Sequence, residues 1–232
     1  MKKIGIIGGI GPESTLDYYR RLIRAFQERK STDFPEIVIY SANLTELLKL
    51  MEGKCWEALT EWLLHRIEAL RKAGAEFGAI GSNSPHVVFD AVKSRSSLPL
   101  VSIVEATCRK AQELGVKRLG LMGTAFTMQA DFFQVPFLAK GMSVVMPEPE
   151  DQRLIQRKLF TEIELGIIKD STRDEMLAVA KRMIDRYGIE ALILGCTELP
   201  LILTQDEFGI PFLNTTAIHA EAMVLYSLGF SS

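Results

Sequence analysis

Short apolar runs alternate along this chain with longer stretches of helical spacing. Residues 4–8, 36–41, 77–81 and 99–103 read as strands in the first half, and residues 117–122, 142–146, 191–195 and 211–213 in the second. The strongest runs, such as Ala191-Leu192-Ile193-Leu194, are apolar at successive positions, the pattern of a strand covered on both faces. A helix opens at Pro12, a residue suited to a first turn, and carries Leu16, Tyr19, Ile23 and Phe26 on its expected inner side. A longer helix over 55–73 lines up Trp56, Leu59, Leu63, Ile67 and Leu70, places both tryptophans in the core and stops at Gly74. Further helices are predicted over 105–114, 127–139, 151–165, 171–186 and about 216–228, the fourth marked by Ser171 with Asp174 three places on. Strands alternating with helices predict an α/β protein with parallel sheets.

The pattern repeats. Lys3-Ile4-Gly5-Ile6-Ile7-Gly8-Gly9 aligns with Arg118-Leu119-Gly120-Leu121-Met122-Gly123-Thr124. Gly78-Ala79-Ile80-Gly81-Ser82-Asn83-Ser84 aligns without gaps on Leu192-Ile193-Leu194-Gly195-Cys196-Thr197-Glu198. Leu98-Pro99-Leu100-Val101 matches Ile210-Pro211-Phe212-Leu213. Three pairs in one order predict two similar α/β lobes, each with a short parallel sheet flanked by helices. The expected arrangement is a pseudo-twofold pair with a cleft between the lobes. The first lobe is expected from residues 1–103 with 214–232, the second from 104–213.

Bulk properties narrow the function. With 47% hydrophobic residues over 232 positions the chain has ample material for a core. A net charge of −2 gives no electrostatic case for nucleic acid or an anionic membrane, and no apolar run is long enough to cross a bilayer. Cys55, Cys108 and Cys196 are too few and too scattered for a disulfide framework, and none pairs with a histidine at zinc-ligand spacing. The expectation is a soluble, cytoplasmic protein without a metal.

Chemistry is expected at the strand ends. In a parallel sheet, residues just past the carboxyl ends border the ligand crevice. Cys196-Thr197-Glu198 and Gly123-Thr124-Ala125-Phe126-Thr127 stand there in one half, and Gly8-Gly9-Ile10-Gly11 and Ser82-Asn83-Ser84 in the other. The following helix amino termini, with the hydroxyls of Ser84, Thr124, Thr127 and Thr197 and the amide of Asn83, suit a small anion. A dinucleotide fits poorly, because Gly9-Ile10-Gly11-Pro12-Glu13-Ser14 lacks the third glycine and Ser41-Ala42-Asn43 lacks an acidic residue. His65 reads as a surface or packing residue, and His219 as a helix-start hydrogen-bonding residue.

Gly8-Gly9-Ile10-Gly11-Pro12-Glu13-Ser14-Thr15, Ser82-Asn83-Ser84-Pro85-His86, Gly123-Thr124, Gly195-Cys196-Thr197-Glu198 and Ala217-Ile218-His219-Ala220-Glu221 together resemble the aspartate/glutamate racemase family. The resemblance implies a dimeric, cofactor-independent amino-acid racemase that acts on aspartate- or glutamate-like substrates. It also implies that the last helix returns to the first lobe. Two cysteines serve the family, one removing the α-proton and the other returning it from the opposite face. The second falls on Cys196, expected as a thiolate at a helix amino terminus and accessible near neutral pH. The first falls on Ser82, a far weaker acid, with His86 the nearest candidate helper. Asn83, Ser84, Thr124, Thr127 and Thr197 are the implied substrate-binding residues, with His86, Glu198 and Gly11 as further contributors. In some aspartate racemases an arginine soon after the second strand holds the side-chain carboxylate; Ser41-Ala42-Asn43-Leu44-Thr45-Glu46 has no cation. Arylmalonate decarboxylase, in the same wider superfamily, uses a single cysteine at the Cys196 position, so decarboxylation and mere binding of a small carboxylate stand as alternatives.

Overall fold

The computed structural model describes residues 1–29 and 34–230. The first half runs β1 (Ile4–Gly8), α1 (Pro12–Glu28), β2 (Ile37–Ser41), α2 (Leu44–Glu52), α3 (Trp56–Lys72), β3 (Phe77–Ile80), a 3₁₀ turn (Ser84–Val88), α4 (Phe89–Arg95), β4 (Leu100–Val101) and α5 (Ile103–Glu113). The second half runs β5 (Arg118–Met122), α6 (Ala125–Gln129), α7 (Gln134–Leu138), β6 (Ser143–Val145), α8 (Pro149–Thr161), a 3₁₀ turn (Ile163–Leu165), α9 (Asp170–Tyr187), β7 (Ala191–Leu194), a 3₁₀ turn (Leu199–Leu201), β8 (Phe212–Asn214) and α10 (Thr215–Ser227).

Two four-stranded sheets result, ordered β2-β1-β3-β4 and β6-β5-β7-β8, with every pairing parallel. The expected α/β class with two similar parallel sheets is what forms. Their registers coincide under the internal alignment. Ile4 lies opposite Phe77 and Leu119 opposite Ala191, while Gly78 lies opposite Leu100 and Leu192 opposite Phe212. The chain divides into two compact units, one of residues 1–106 with the end of the chain from 216, the other of residues 107–215.

In the first unit Ile4, Ile6 and Phe77 of the central strands pack on Tyr18, Leu22 and Phe26 of α1 and on Met223 and Val224 of α10. The last helix therefore returns to the first unit, as the resemblance implies. In the second unit Leu192 and Leu194 pack with Ile155 and Leu159 of α8 and Met176, Val179 and Met183 of α9.

Several local expectations are corrected. The inner face of α1 is Thr15, Tyr18, Leu22 and Phe26, whereas Leu16 and Tyr19 are half exposed, at 50% and 47%. Polar contacts set that rotation: Thr15 ties the glycine loop, and the Tyr18 hydroxyl lies 2.9 Å from Nδ1 of His219. The predicted helix over 127–139 is broken into α6 and α7, because Pro136 has no N–H to give and its ring would strike the carbonyl one turn earlier. Helix α9 begins at Asp170 without a serine cap, since Lys169 holds the cap position and the neighbouring Thr172 hydroxyl donates to Glu162. The tryptophans are half-buried rather than core residues. Trp62 donates its indole N–H to Glu46 at 3.0 Å and stacks under the Arg66 guanidinium at 3.4 Å.

His219 is fully buried one turn inside α10, not at a helix start. Its Nε2 lies 3.0 Å from the Val101 carbonyl and so carries the hydrogen, which leaves Nδ1 to accept from Tyr18. One neutral ring thus joins α1, β4 and α10. Burial depresses its pKa from 6.5 to about 4, because no countercharge repays desolvation of an imidazolium there.

Two consequences are measurable. Below pH 6.5 the unfolded chain takes up a proton that the native ring refuses until about pH 4. Stability is therefore fully present above pH 6.5 and lost on acidification across that window, by about 1.4 kcal/mol per pH unit for this group. Chemical denaturation between pH 7.5 and 4 reads the slope, and a flat profile would show that the ring ionises in place. Tyr18→Phe leaves a buried acceptor without this donor and should cost about 1–3 kcal/mol.

Candidate active site

The second unit presents its chemistry where β7 ends. Gly195 donates to the Met122 carbonyl of β5 at 2.6 Å, so the chain leaves the sheet at a fixed point. A Cβ on Gly195 would lie 2.5 Å from Leu121 Cδ1 and 3.1 Å from the Met122 carbonyl, so a side chain there would force its neighbours to shift. Cys196, Thr197 and Glu198 follow and are all buried. The Cys196 thiol donates to Glu198 Oε2 at 3.1 Å, and the Thr197 hydroxyl donates to the same oxygen at 2.9 Å. Thr215, at the start of α10, fixes the strand end by donating to the Leu194 carbonyl at 2.8 Å.

A third acid joins this group from far away in sequence. Glu164 sits in the 3₁₀ turn after α8, anchored by Ile163, which is fully buried. Ligand atoms of Glu164, Cys196 and Glu198 all lie within 4.8 Å of one another. Burial first, and then the charge of Glu198, push the Glu164 carboxyl up to about 7. Burial, followed by the charges of Glu198 and Glu164, drives the Cys196 thiol well above its ordinary range. The raised thiol is a hydrogen-bond donor to the neighbouring Glu198 carboxyl.

That arrangement corrects the expected thiolate. Cys196 heads no long helix, only the three-residue turn Leu199–Leu201, so little dipole is available to stabilise a negative sulfur. Two carboxylates surround it instead. The same qualification applies after β3 and β5, where the helical pieces are five residues long.

Thr124 caps α6, its hydroxyl accepting from the Thr127 N–H at 3.2 Å and lying 3.1 Å from the Thr127 hydroxyl. Thr127 is fully buried, which makes it a support for the loop after β5 more than an open substrate contact. Thr197 likewise aims its hydroxyl at Glu198.

In the first unit the matching strand end is pinned in the same way, with the Gly81 N–H on the Ile7 carbonyl at 2.9 Å. Ser82 is partly accessible, Asn83 is buried and Ser84 opens the 3₁₀ turn. His86 is buried and stacked on Phe89 at 4.8 Å, with Nδ1 3.0 Å from the backbone carbonyl of Ser82. The expected partnership between this ring and the Ser82 hydroxyl is not the one formed. Burial and the neighbouring His219 lower the His86 pKa to about 3, so the ring is neutral. Gly11 occupies the cap position of α1, and its carbonyl accepts from both Ser14 and Thr15 at 2.9 Å. Gly9 is held at φ +78°, where a Cβ would lie 2.5 Å from the Ala42 carbonyl. His65 is exposed on α3, as expected.

Glu164 is the residue that sequence reasoning missed. It lies in no motif with Cys196, and no periodicity marks it; only the fold of the second unit brings the two together.

Comparison with known proteins identifies the family. Residues 7–223 match the Asp/Glu/Hydantoin racemase family. The broad specificity amino-acid racemase RacX of Bacillus subtilis (strain 168) is 24% identical over 99% of this chain and 100% of its own. The solved structure of an aspartate racemase homologue from Pyrococcus horikoshii OT3 is 37% identical, covering 98% of this chain and 100% of that one with a TM-score of 0.86. Picrophilus torridus aspartate racemase, 20% identical over 97% of this chain and 94% of that one, shares the fold with a TM-score of 0.78. A match that spans nearly the whole chain establishes that this protein belongs to the Asp/Glu/Hydantoin racemase family and with it to the isomerases.

Proposed function

We propose that the chain is a cofactor-independent amino-acid racemase acting on aspartate- or glutamate-like substrates, in which Cys196 is the principal acid/base and Ser82 stands in place of the family's first cysteine. The hydrogen bond from the buried Cys196 thiol to Glu198 carries this reading. A thiol raised this far by burial is a poor base until its proton has somewhere to go, and Glu198 is in contact to take it. The thiolate then removes the α-proton, and the electron pair of that C–H bond passes into the substrate carboxylate. Return of a proton to the same carbon regenerates the amino acid, inverted if it arrives on the opposite face. Ser82 stands at the equivalent strand end of the first unit, which supports its candidacy for that step. Its hydroxyl is a far weaker acid than a thiol.

The serine also favours a second reading. An enzyme with one competent thiol is equipped to protonate a carbanion left by loss of CO₂, as a decarboxylase of the arylmalonate type does. Incubation with single enantiomers of amino acids in D₂O separates the possibilities. α-Deuterium with inversion supports racemisation, and deuterium without inversion supports one-sided exchange. CO₂ released from a substituted malonate would favour the decarboxylase. A ligand-induced rise in melting temperature with no exchange and no CO₂ would favour a binding protein.

Variants test the assignments. Cys196→Ala should abolish α-proton exchange, whereas Ser82→Ala should keep a measurable part of it; the reverse outcome would make the serine the principal base. Ser82→Cys should raise inversion relative to one-sided exchange. Glu198→Gln, which keeps the shape and removes the proton acceptor, should lower kcat by about 10²–10⁴-fold.

A further inference from the structure

We infer that Thr215 is a positioning residue for the reaction: its hydroxyl sets the place of the Cys196 thiol by holding the peptide group between Leu194 and Gly195. The inference rests on the reading of Cys196 as the principal acid/base and adds a residue to it. Its first support is a clamp. The Leu194 carbonyl and the Gly195 N–H belong to one peptide group, and both of these polar atoms are held. The N–H donates to the Met122 carbonyl of β5 at 2.6 Å, and the carbonyl accepts from the Thr215 hydroxyl at 2.8 Å. Cys196 follows after a single glycine, which has no side chain to add a restraint of its own. The plane of the clamped peptide group therefore sets the direction in which the chain carries the thiol. Thr215 is fully buried and β-branched, so packing leaves its hydroxyl little freedom to turn away.

The second support is the other unit, which serves as an internal control. Val101 lies opposite Ala79 and Leu213 opposite Ile193, in equivalent register. Two residues further on, α5 starts at Ile103 and α10 at Thr215. Ile103 is as fully buried as Thr215, but its side chain has no hydroxyl to give. The first sheet forms nonetheless, and Gly81 still donates to the Ile7 carbonyl at 2.9 Å. An apolar β-branched side chain is thus enough for the fold at this position. The hydroxyl is an addition, and it is made at the strand end that carries the thiol.

The test uses the full chain with Thr215→Val, which gives the position the chemistry of Ile103, and Thr215→Ser, which keeps the hydroxyl. For each, α-deuterium exchange gives kcat and KM on the amino acid that the unaltered chain turns over fastest. Peptide mass spectrometry follows alkylation of Cys196 by iodoacetamide against pH, a reaction that reports the thiolate. Thr215→Val should fold and melt cooperatively, yet lose about 10–10²-fold in kcat with little change in KM, the signature of a displaced reacting group. Its Cys196 alkylation profile should shift as well. Thr215→Ser should recover most of kcat and the original profile. An unchanged kcat in Thr215→Val, or a Thr215→Ser chain no better than it, would overturn the assignment. So would a Thr215→Val chain that cannot fold, because the hydroxyl would then serve the scaffold. Exchange by the unaltered chain with no amino acid at all would bring down the racemase reading instead. The alkylation profile then judges the positioning alone, and a profile that Thr215→Val leaves unmoved would refute it.

Discussion

One hydrogen bond, made twice, fixes where the chemistry of each unit begins. The first N–H past the third strand reaches a carbonyl of the first strand, Gly81 to Ile7 in one unit and Gly195 to Met122 in the other. Both donors are glycines in close quarters, where a Cβ would lie 3.1 Å from Ile7 O on Gly81 and 2.5 Å from Leu121 Cδ1 on Gly195. The central strands are buried along their length, so the chain has no polar register to choose except this one. Ser82 and Cys196 are each the next residue. Their equivalence is a result of hydrogen bonding and packing before it is a matter of catalysis.

What surrounds the two positions differs completely. Ser82 has a neutral, stacked imidazole on its backbone carbonyl, and that ring is insulated from protons by burial. Cys196 has the carboxyl groups of Glu164 and Glu198 beside it and donates to Glu198. A duplicated frame has therefore acquired an acidic setting at one strand end and a neutral one at the other. The difference arises from side chains alone, because the backbone hydrogen bonds are shared.

Much of the frame was legible in the sequence, because the internal echo is a statement about register. Aligning Gly81 on Gly195 and Gly5 on Gly120 predicts which residues lie side by side in both sheets, and they do. The Cys196-Thr197-Glu198 cluster was legible for a related reason: contacts one and two residues apart need no tertiary structure. Glu164 was not, since its approach to Cys196 depends on how α8 ends. The protonation of the thiol was equally hidden, because burial belongs to the folded unit and not to any motif. For α1, hydrophobicity pointed to Leu16 and Tyr19, and the hydroxyls of Thr15 and Tyr18 decided otherwise. Pro136 was visible throughout, yet helical spacing alone hid its effect on the segment after β5.

The place of α10 in the chain has a consequence for synthesis on the ribosome. Its residues Met223 and Val224 complete the core of a unit whose other elements have all emerged more than a hundred residues earlier. Until then α1 lacks the ring that Tyr18 bonds, and the apolar surface meant for α10 stays uncovered. The second unit is continuous in sequence and has no such dependence. Vectorial emergence thus favours completion of the middle of the polypeptide before its beginning, and the amino-terminal strands must wait for the last helix in a partly open state.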